Sequence, residues 1–392
     1  AGAYSDGKLT VSTDVGGQLA SIMPENDLVE LLEYVDGVYR DYSPGGDLFS
    51  MSPDDTEAMA ARARLAGLVF VPARVRHLGT ENLRVILERF RKELEPRVHA
   101  LFSVQAQDIL HEGGRVTGVS LSNGSVIRAS CVIAAPGRVG SAWMKAQARR
   151  LGLETSPNPV DLGVRVELPA VVMEHLTDKA YETKFIHYSR TFDDKVRTFC
   201  MNPYGEVVIE TMGDIVTVNG HSWAGMRTEN TNFALLVSAN FTEPFDDPIG
   251  YGESVARLAN MIGKGVIVQR LGDLLSGRRT TAGRLAKCTT RPTLRQATPG
   301  DLSYCIPYRI LTDIVEMLAG LDRLAPGVNS AHTLLYGVEV KFYSNRIRLD
   351  NTLQTQVKGL YVVGDGAGIT RGLIQASCSG IIAARAAGAA MS

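Results

Sequence analysis

The sequence predicts an α/β protein in which one domain, built from both ends of the chain, carries a mixed α+β domain inserted between them. Three observations predict it. Gly359 to Gly372 reads as a strand, a Gly-Asp-Gly turn and the start of a helix. From Val98 to Val132 the hydrophobic period changes to two, with turn signals at Glu112-Gly113-Gly114 and Ser122-Asn123-Gly124, so an antiparallel meander is expected and not a βαβ crossover. From about Val160 to Ser344, strand-like segments alternate with long loops around two helices.

The elements follow in order. Ala1 to Gly17 reads as a polar, glycine-rich loop with a short strand at Lys8–Ser12. Asp27–Tyr39 is expected to be helical, with Leu28, Leu31, Leu32 and Val35 on one face. Ser52–Leu68 reads as a second helix with Pro53 as its first residue. Thr80 suits the cap of a third, Glu81 suits its positive end, and Leu83, Ile86, Leu87, Phe90 and Leu94 recur at helical spacing.

Strands are then expected at His99–Phe102, Ala106–His111, Arg115–Leu121 and Ser125–Arg128, and the run from Cys131 forms a further strand that breaks at Pro136-Gly137. In the central region the candidate strands are Leu162–Leu168, Arg197–Met201, Glu206–Glu210 and Ala234–Asn240, and the helices are Gly252–Ile262 and Ile310–Leu321. The closing strand is Leu360–Val363, followed by a small-residue helix from about Leu373 to Ala390. The expected domains are 1–158 with 345–392, and 159–344.

Composition narrows the class. With 392 residues there is room for two domains and a substantial core, and 45% apolar with 21% charged residues is ordinary for a soluble globular protein. A net charge of −1, with Lys and Arg spread along the chain and no basic run, gives no sign of a nucleic-acid partner. The 39 glycines are enriched over the usual ~7%, and many cluster where a backbone would approach a ligand closely.

The five cysteines are odd in number and widely spaced with no Cys/His cluster, which argues against a zinc site or a disulfide framework and fits a reducing, cytoplasmic setting. No apolar run reaches the ~20 residues of a membrane span, because Asp365, Arg371 and Arg385 interrupt the nearest candidate.

The closing turn carries the chemistry. A strand that stops at Gly364, an acid at Asp365 and the small residues Gly366, Ala367 and Gly368 put backbone N–H groups and one carboxylate where the polar part of a dinucleotide can lie. Ile369 and Thr370 complete the turn. Read without a ligand, the same residues are a plain Asp-Gly turn.

With these segments placed, the chain resembles the FAD-binding flavoproteins of the glutathione-reductase superfamily, and within it the FAD-dependent dehydrogenases related to an aminoacetone-oxidase-like group. Gly2–Leu9, Arg197–Gly205, Leu335–Tyr343 and Gly359–Gly372 carry the resemblance, which runs over nearly the whole chain. It implies a three-layer FAD/NAD(P)-binding domain with a meander and an inserted α+β domain, and FAD as cofactor. Such proteins normally open with strand, G-x-G-x-x-G and helix. This chain contains no such segment and starts as if inside a ligand-binding loop, so the segment is expected to lie upstream.

The resemblance implies roles for further residues. Asp365 would accept a hydrogen bond from a flavin ribityl hydroxyl, and the amides after it would point to phosphate or flavin. Ala134, Ala135, Pro136 and Gly137 match the end of a second strand against the dinucleotide, unless they simply terminate the strand. Ala106 matches a position whose backbone meets adenine. Ser5, Gly7 and Lys8 match a loop that passes along the flavin, or form a frayed terminus.

Catalytic candidates are fewer. Lys341, in the alternating run Val338–Phe342, either faces the flavin and stabilises an anionic reduced ring or is an exposed strand lysine. Arg371 pairs with a phosphate or a substrate carboxylate, or caps and covers the surface. Cys200 is a redox thiol or a core residue. His221 is a loop proton donor or a solvated turn histidine.

The expected function is FAD-dependent hydride transfer to or from a small-molecule substrate. No second Gly-rich fingerprint is present, so NAD(P)H, where it reacts, docks transiently. A flavin-containing hydratase or isomerase, and a non-catalytic fragment, are the alternatives. Oligomeric state is left open.

Overall fold

The computed structural model describes residues 7–391 except 44, 181, 223–225, 240, 242, 243 and 246. The chain divides into two compact units, Ala1–Leu48 with Arg74–Asn158 and Tyr343–Ser392, and Phe49–Ala73 with Pro159–Phe342. Residues 49–73 therefore depart from the sequence expectation, which groups them with the N-terminal elements. Strand pairing is the reason. Val69–Val71 joins Lys184–Tyr188 antiparallel at one edge of the second unit's sheet. Helix Pro53–Leu65, capped by Ser52 through the Asp55 N–H, lays Met59 and Ala63 on the same core. A three-residue strand carries too little periodicity to reveal which sheet it joins.

In the first unit, Leu360–Val362 pairs parallel with Val132–Ala134, and the meander runs Ala106–Glu112, Arg115–Leu121, Val126–Arg128. Lys8–Val11 pairs antiparallel with Arg74–His77, a strand that sequence reading missed. Helix Glu25–Tyr42 buries Leu28, Leu31, Leu32 and Val35, the predicted stripe, and adds Asp36, whose carboxylate takes a bidentate pair from Arg76 at 2.7 and 2.8 Å.

Two expectations fail here. The alternation at His99–Phe102 forms no strand: these residues are exposed, and Phe102 lies under the Arg91 guanidinium instead. In helix Thr80–Leu94 the N-cap is Gly79 at φ 80°, not Thr80, and of the predicted stripe Leu83 and Ile86 are buried while Leu87 and Leu94 stay exposed.

Helix Leu373–Met391 is long and apolar enough, by length and composition alone, to cross a membrane, which exceeds the sequence expectation because Arg385 is the single charge within its bounds. In this fold it buries Ile374, Cys378, Ala383 and Ala387 in the unit's core and directs Gln375 and Ser379 to polar partners. Those contacts hold one face of it in the unit's core.

The second unit is built on an eight-stranded sheet in the order Thr298–Pro299, Ile267–Arg270, Leu334–Lys341, Val160–Pro169, Asn230–Ala239, Lys195–Asn202, Lys184–Tyr188, Val69–Val71. All neighbours are antiparallel except the first pair. Helices Pro248–Gly263 and Tyr308–Leu324 contribute Ala256, Ala259, Ile314 and Leu318 to its main core.

The central strand, Val160–Pro169, alternates apolar and polar residues, yet both of its faces are buried. Its charged residues find partners inside: Asp161 with Arg197, Arg165 with Glu339, and Glu167 with Tyr336 and Thr293. The hairpin Glu206–Met212/Ile215–His221 packs against this strand and Leu334–Lys341.

Candidate functional site

The first unit brings together two segments that lie far apart in sequence. Because Leu360–Val362 and Val132–Ala134 are parallel neighbours, both chains leave the sheet at the same end, where ligands of open α/β sheets bind. The Val363 N–H donates to the Ala134 carbonyl at 2.9 Å, and the Gly364 N–H donates to Ser379 Oγ at 2.9 Å. Residues Gly364–Ala367 then form one 3₁₀ turn. Gly366 sits so close to Pro136 that a Cβ there would fall 2.5 Å from Pro136 Cγ. Gly364 and Gly137 adopt φ of 68° and 64°, and a Cβ at either would meet nothing within 4 Å. The backbone is thus kept bare along an open space, as close approach of a ligand requires.

Asp365 stands in this turn with its side chain 17% exposed. Thr370 Oγ1 donates to Oδ1 at 2.8 Å, and Arg138 Nε lies 3.4 Å from Oδ2. Burial pushes the carboxyl above its ordinary range, opposed by the Thr370 hydroxyl and by Arg138 and Arg371. An acid that retains a net desolvation cost is under-satisfied, and a ligand hydroxyl would relieve it.

Arg371 lies over the Tyr343 ring at 3.9 Å from its centroid, and its N–H donates to the Gly16 carbonyl. Behind Gly366 a cavity of about 10 Å³ is lined by Ser141, Lys145, Thr155, Ser344 and Asn345. The buried Ser344 hydroxyl has no partner among the described residues. The cavity is about the space of a single water and not of a ligand group.

A single amide braces the turn. Gln375 donates to the Val15 carbonyl at 3.0 Å and accepts from the Leu19 N–H at 3.4 Å, while the Gln18 N–H donates to the Ile369 carbonyl at 2.8 Å. Asn158 donates to the Ser344 and Gly368 carbonyls at 2.7 and 2.8 Å. Sequence reading missed Arg138, Asn158, Gln375 and Ser379, and only Arg138, directly after Pro136-Gly137, had a local signal.

The other predicted residues fall elsewhere. Ser5 lies outside the described residues. Gly7, at φ 70°, is explained by its neighbour: a Cβ would fall 2.6 Å from the Gly79 carbonyl oxygen, so the glycine serves backbone–backbone approach. Lys8 pairs with His77 in the strand. Ala106 is exposed at the start of the meander. Ala134 is buried and Ala135 exposed. Ala367, Ile369 and Thr370 are buried.

Lys341, Cys200 and His221 belong to the second unit. Lys341 Nζ sits 3.1 Å from Glu210 and 3.4 Å from Glu339, and Glu339 in turn holds the fully buried Arg165. The two cations face two carboxylates, so Lys341 offers no surplus positive charge. Cys200 has a left-handed backbone at φ 49°, in an irregularity of its strand's pairing. Its carbonyl accepts from Arg165 and Asn202. His221 pairs with Glu206 in the hairpin and is half-buried.

Residues 159–342 match the family described as FAD-dependent protein, C-terminal domain-like, and residues 295–392 match glucose inhibited division protein A. These matches support an FAD-dependent protein. An uncharacterized protein of Clostridium beijerinckii is 25% identical over 328 residues, and the alignment covers 78% of this chain and 60% of that one. The chain thus spans about 60% of the length of this curated relative.

Among solved structures, L-proline dehydrogenase from P. horikoshii aligns at 10% identity over 95% of this chain and 82% of that chain, with a TM-score of 0.38. Glycine oxidase from Bacillus cereus aligns at 12% identity over 98% and 85%, with a TM-score of 0.32. Glycerol-3-phosphate dehydrogenase from Bacillus halodurans, solved with FAD, aligns at 10% identity over 100% and 58%, with a TM-score of 0.35.

The residues present fit a flavin dinucleotide: bare glycine backbone beside open space, an under-satisfied carboxylate and an orphaned buried hydroxyl. Their packing is tight enough to test. Gly366→Ala forces a methyl against a rigid proline ring and is expected to destabilise the chain by about 1–3 kcal/mol and to lower its flavin content. Urea denaturation, with cofactor quantified after release, checks both effects.

Proposed function

We propose that the protein is an FAD-dependent oxidoreductase, a dehydrogenase or reductase acting on a small-molecule substrate. The observation that carries this reading is the Gly364–Thr370 turn seated on Pro136-Gly137, with Asp365 poised beside open space. Asp365 would accept from a flavin hydroxyl, the bare backbone of Gly364, Gly366 and Gly137 would admit the cofactor, and Arg371 would lie near enough to counter anionic charge. FAD supplies hydride acceptance and donation at N5. The chain's part is to bind, to orient and to keep the turn rigid through Gln375, Asn158 and Ser379. NAD(P)H as a transiently docking reductant belongs to the same proposal.

Purified protein, titrated with FAD, is expected to acquire visible flavin absorption that bleaches under anaerobic conditions with a reductant or substrate. Protein that takes up no FAD, with or without residues upstream of this sequence, sinks the reading. Flavin that binds but is bleached by no substrate under turnover favours the hydratase or isomerase alternative.

A further inference from the structure

The second unit holds a charge cluster that hydride transfer does not use. Residues 270–295 contain seven basic side chains and one acid, Asp273, in a chain whose overall charge is −1. The near-even spread of charge along the whole sequence conceals this. Asp273 is fully buried and three guanidiniums converge on it: Arg278 Nε at 2.9 Å and Arg270 Nε and Arg284 Nε each at 3.8 Å. Thr280 Oγ1 donates to its other oxygen at 2.8 Å. Burial pushes the Asp273 carboxyl up, but Thr280 and the arginines outweigh it and hold the group below its ordinary range, so it is ionised.

The arrangement is overcompensated. Three cations face one anion, and the backbone carbonyl of the exposed Arg279 accepts from Arg284 Nη1 at 2.9 Å and holds that guanidinium in place. The acid lies underneath, while the Arg278 and Arg284 side chains are 52% and 40% exposed. Asp273 engages the Nε edge of each guanidinium. Among the described residues, both Nη groups of Arg278 and one each of Arg270 and Arg284 have no acceptor. Like charges held this closely repel each other, so the cluster gains if an anion joins it. Forked donors with fixed planes suit a tetrahedral oxyanion.

We propose that Arg270, Arg278 and Arg284, organised around Asp273, form a binding site for a phosphate group. Asp273 positions the forks, and the free Nη donors receive the phosphate oxygens. The site stands whether or not the flavin reading does, since none of these residues belongs to the Asp365 turn.

The test is calorimetric titration of the full chain with inorganic phosphate, 2′,5′-ADP and 5′-ADP in a phosphate-free, low-salt buffer. Wild type is expected to bind phosphate, and Arg278→Gln to weaken binding about tenfold, the worth of one charged hydrogen bond. Arg284→Gln, at a partly exposed side chain, serves as the second variant if Arg278→Gln misfolds, and it too should weaken binding. Preference for 2′,5′-ADP over 5′-ADP would identify the natural source as a ribose 2′-phosphate; equal binding of all three would identify a free or terminal phosphate. Unchanged affinity in both variants overturns the proposal. So does retention on a heparin matrix with no binding of the small anions, which would mark a polyanion surface instead.

Discussion

Asp365→Asn is expected to leave the chain folded, and at neutral pH at least as stable, while weakening FAD binding about 10–100-fold, the worth of one hydrogen bond to a charged acceptor. The two effects have opposite signs for one reason. Burial raises the folded-state pKa of Asp365 above its ordinary value, so the folded chain holds that proton more tightly than the unfolded chain. The protonated carboxyl therefore favours folding below the ordinary range. That contribution is lost as pH rises from the ordinary value through the elevated one, and above it the ionised group costs stability. Asn removes the cost and keeps an acceptor for Thr370, but it gives up the anionic acceptor that a flavin hydroxyl would use.

Chemical denaturation across this pH window should show a flatter profile for the variant, and fluorescence titration with FAD should show the weaker binding. Wild-type affinity in the variant would remove Asp365 from the cofactor site. Unchanged pH dependence would show that its desolvation carries no weight in stability.

How far these features could be read from the sequence depended on whether they were local. The closing strand, turn and helix were legible because a short apolar run, a Gly-Asp-Gly break and a small-residue helix are each signalled within a few residues. Pro136-Gly137 was legible as a strand end, and its meeting with Gly366 is a non-local consequence of parallel pairing. The braces were not legible. Gln375 looks like any polar residue in a helix until the opening loop is folded against it, and Asn158 reveals itself only through two carbonyls distant in sequence.

Gly7, expected to pass along a ligand, has a second constraint that is not local: the backbone of Gly79 packs against it. The strand at Leu162–Leu168 was legible, but the direction of its charges was not: a polar face turns outward only if nothing else covers and pairs it.

That buried polar face yields the largest stability effect expected in this protein. Arg165 and Glu339 are both fully buried, joined by two hydrogen bonds of 2.7 and 2.6 Å. Arg165 also donates to Asn232 and to the Cys200 carbonyl. Burial pushes the Glu339 carboxyl up, but Arg165 and Lys341 more than offset it and hold it below the ordinary range. Its contribution is therefore present above the unfolded-state pKa and is lost as pH falls through the depressed one.

Glu339→Leu leaves Arg165 desolvated without its counter-charge and deprives Lys341 of one of two carboxylates. The expected cost is about 3–5 kcal/mol, because the remaining buried charge cannot recover its hydration. Arg165→Met should cost less, since Glu339 keeps Lys341 at 3.4 Å as a counter-charge. The double variant Arg165→Met/Glu339→Leu should recover much of either loss, since apolar side chains of similar volume need no counter-charge. Equilibrium denaturation of the four proteins closes the cycle. Additive costs would mean that the two residues do not act as a pair, whereas strong recovery would make the pair a device for fixing the strands' register and not a source of net stability.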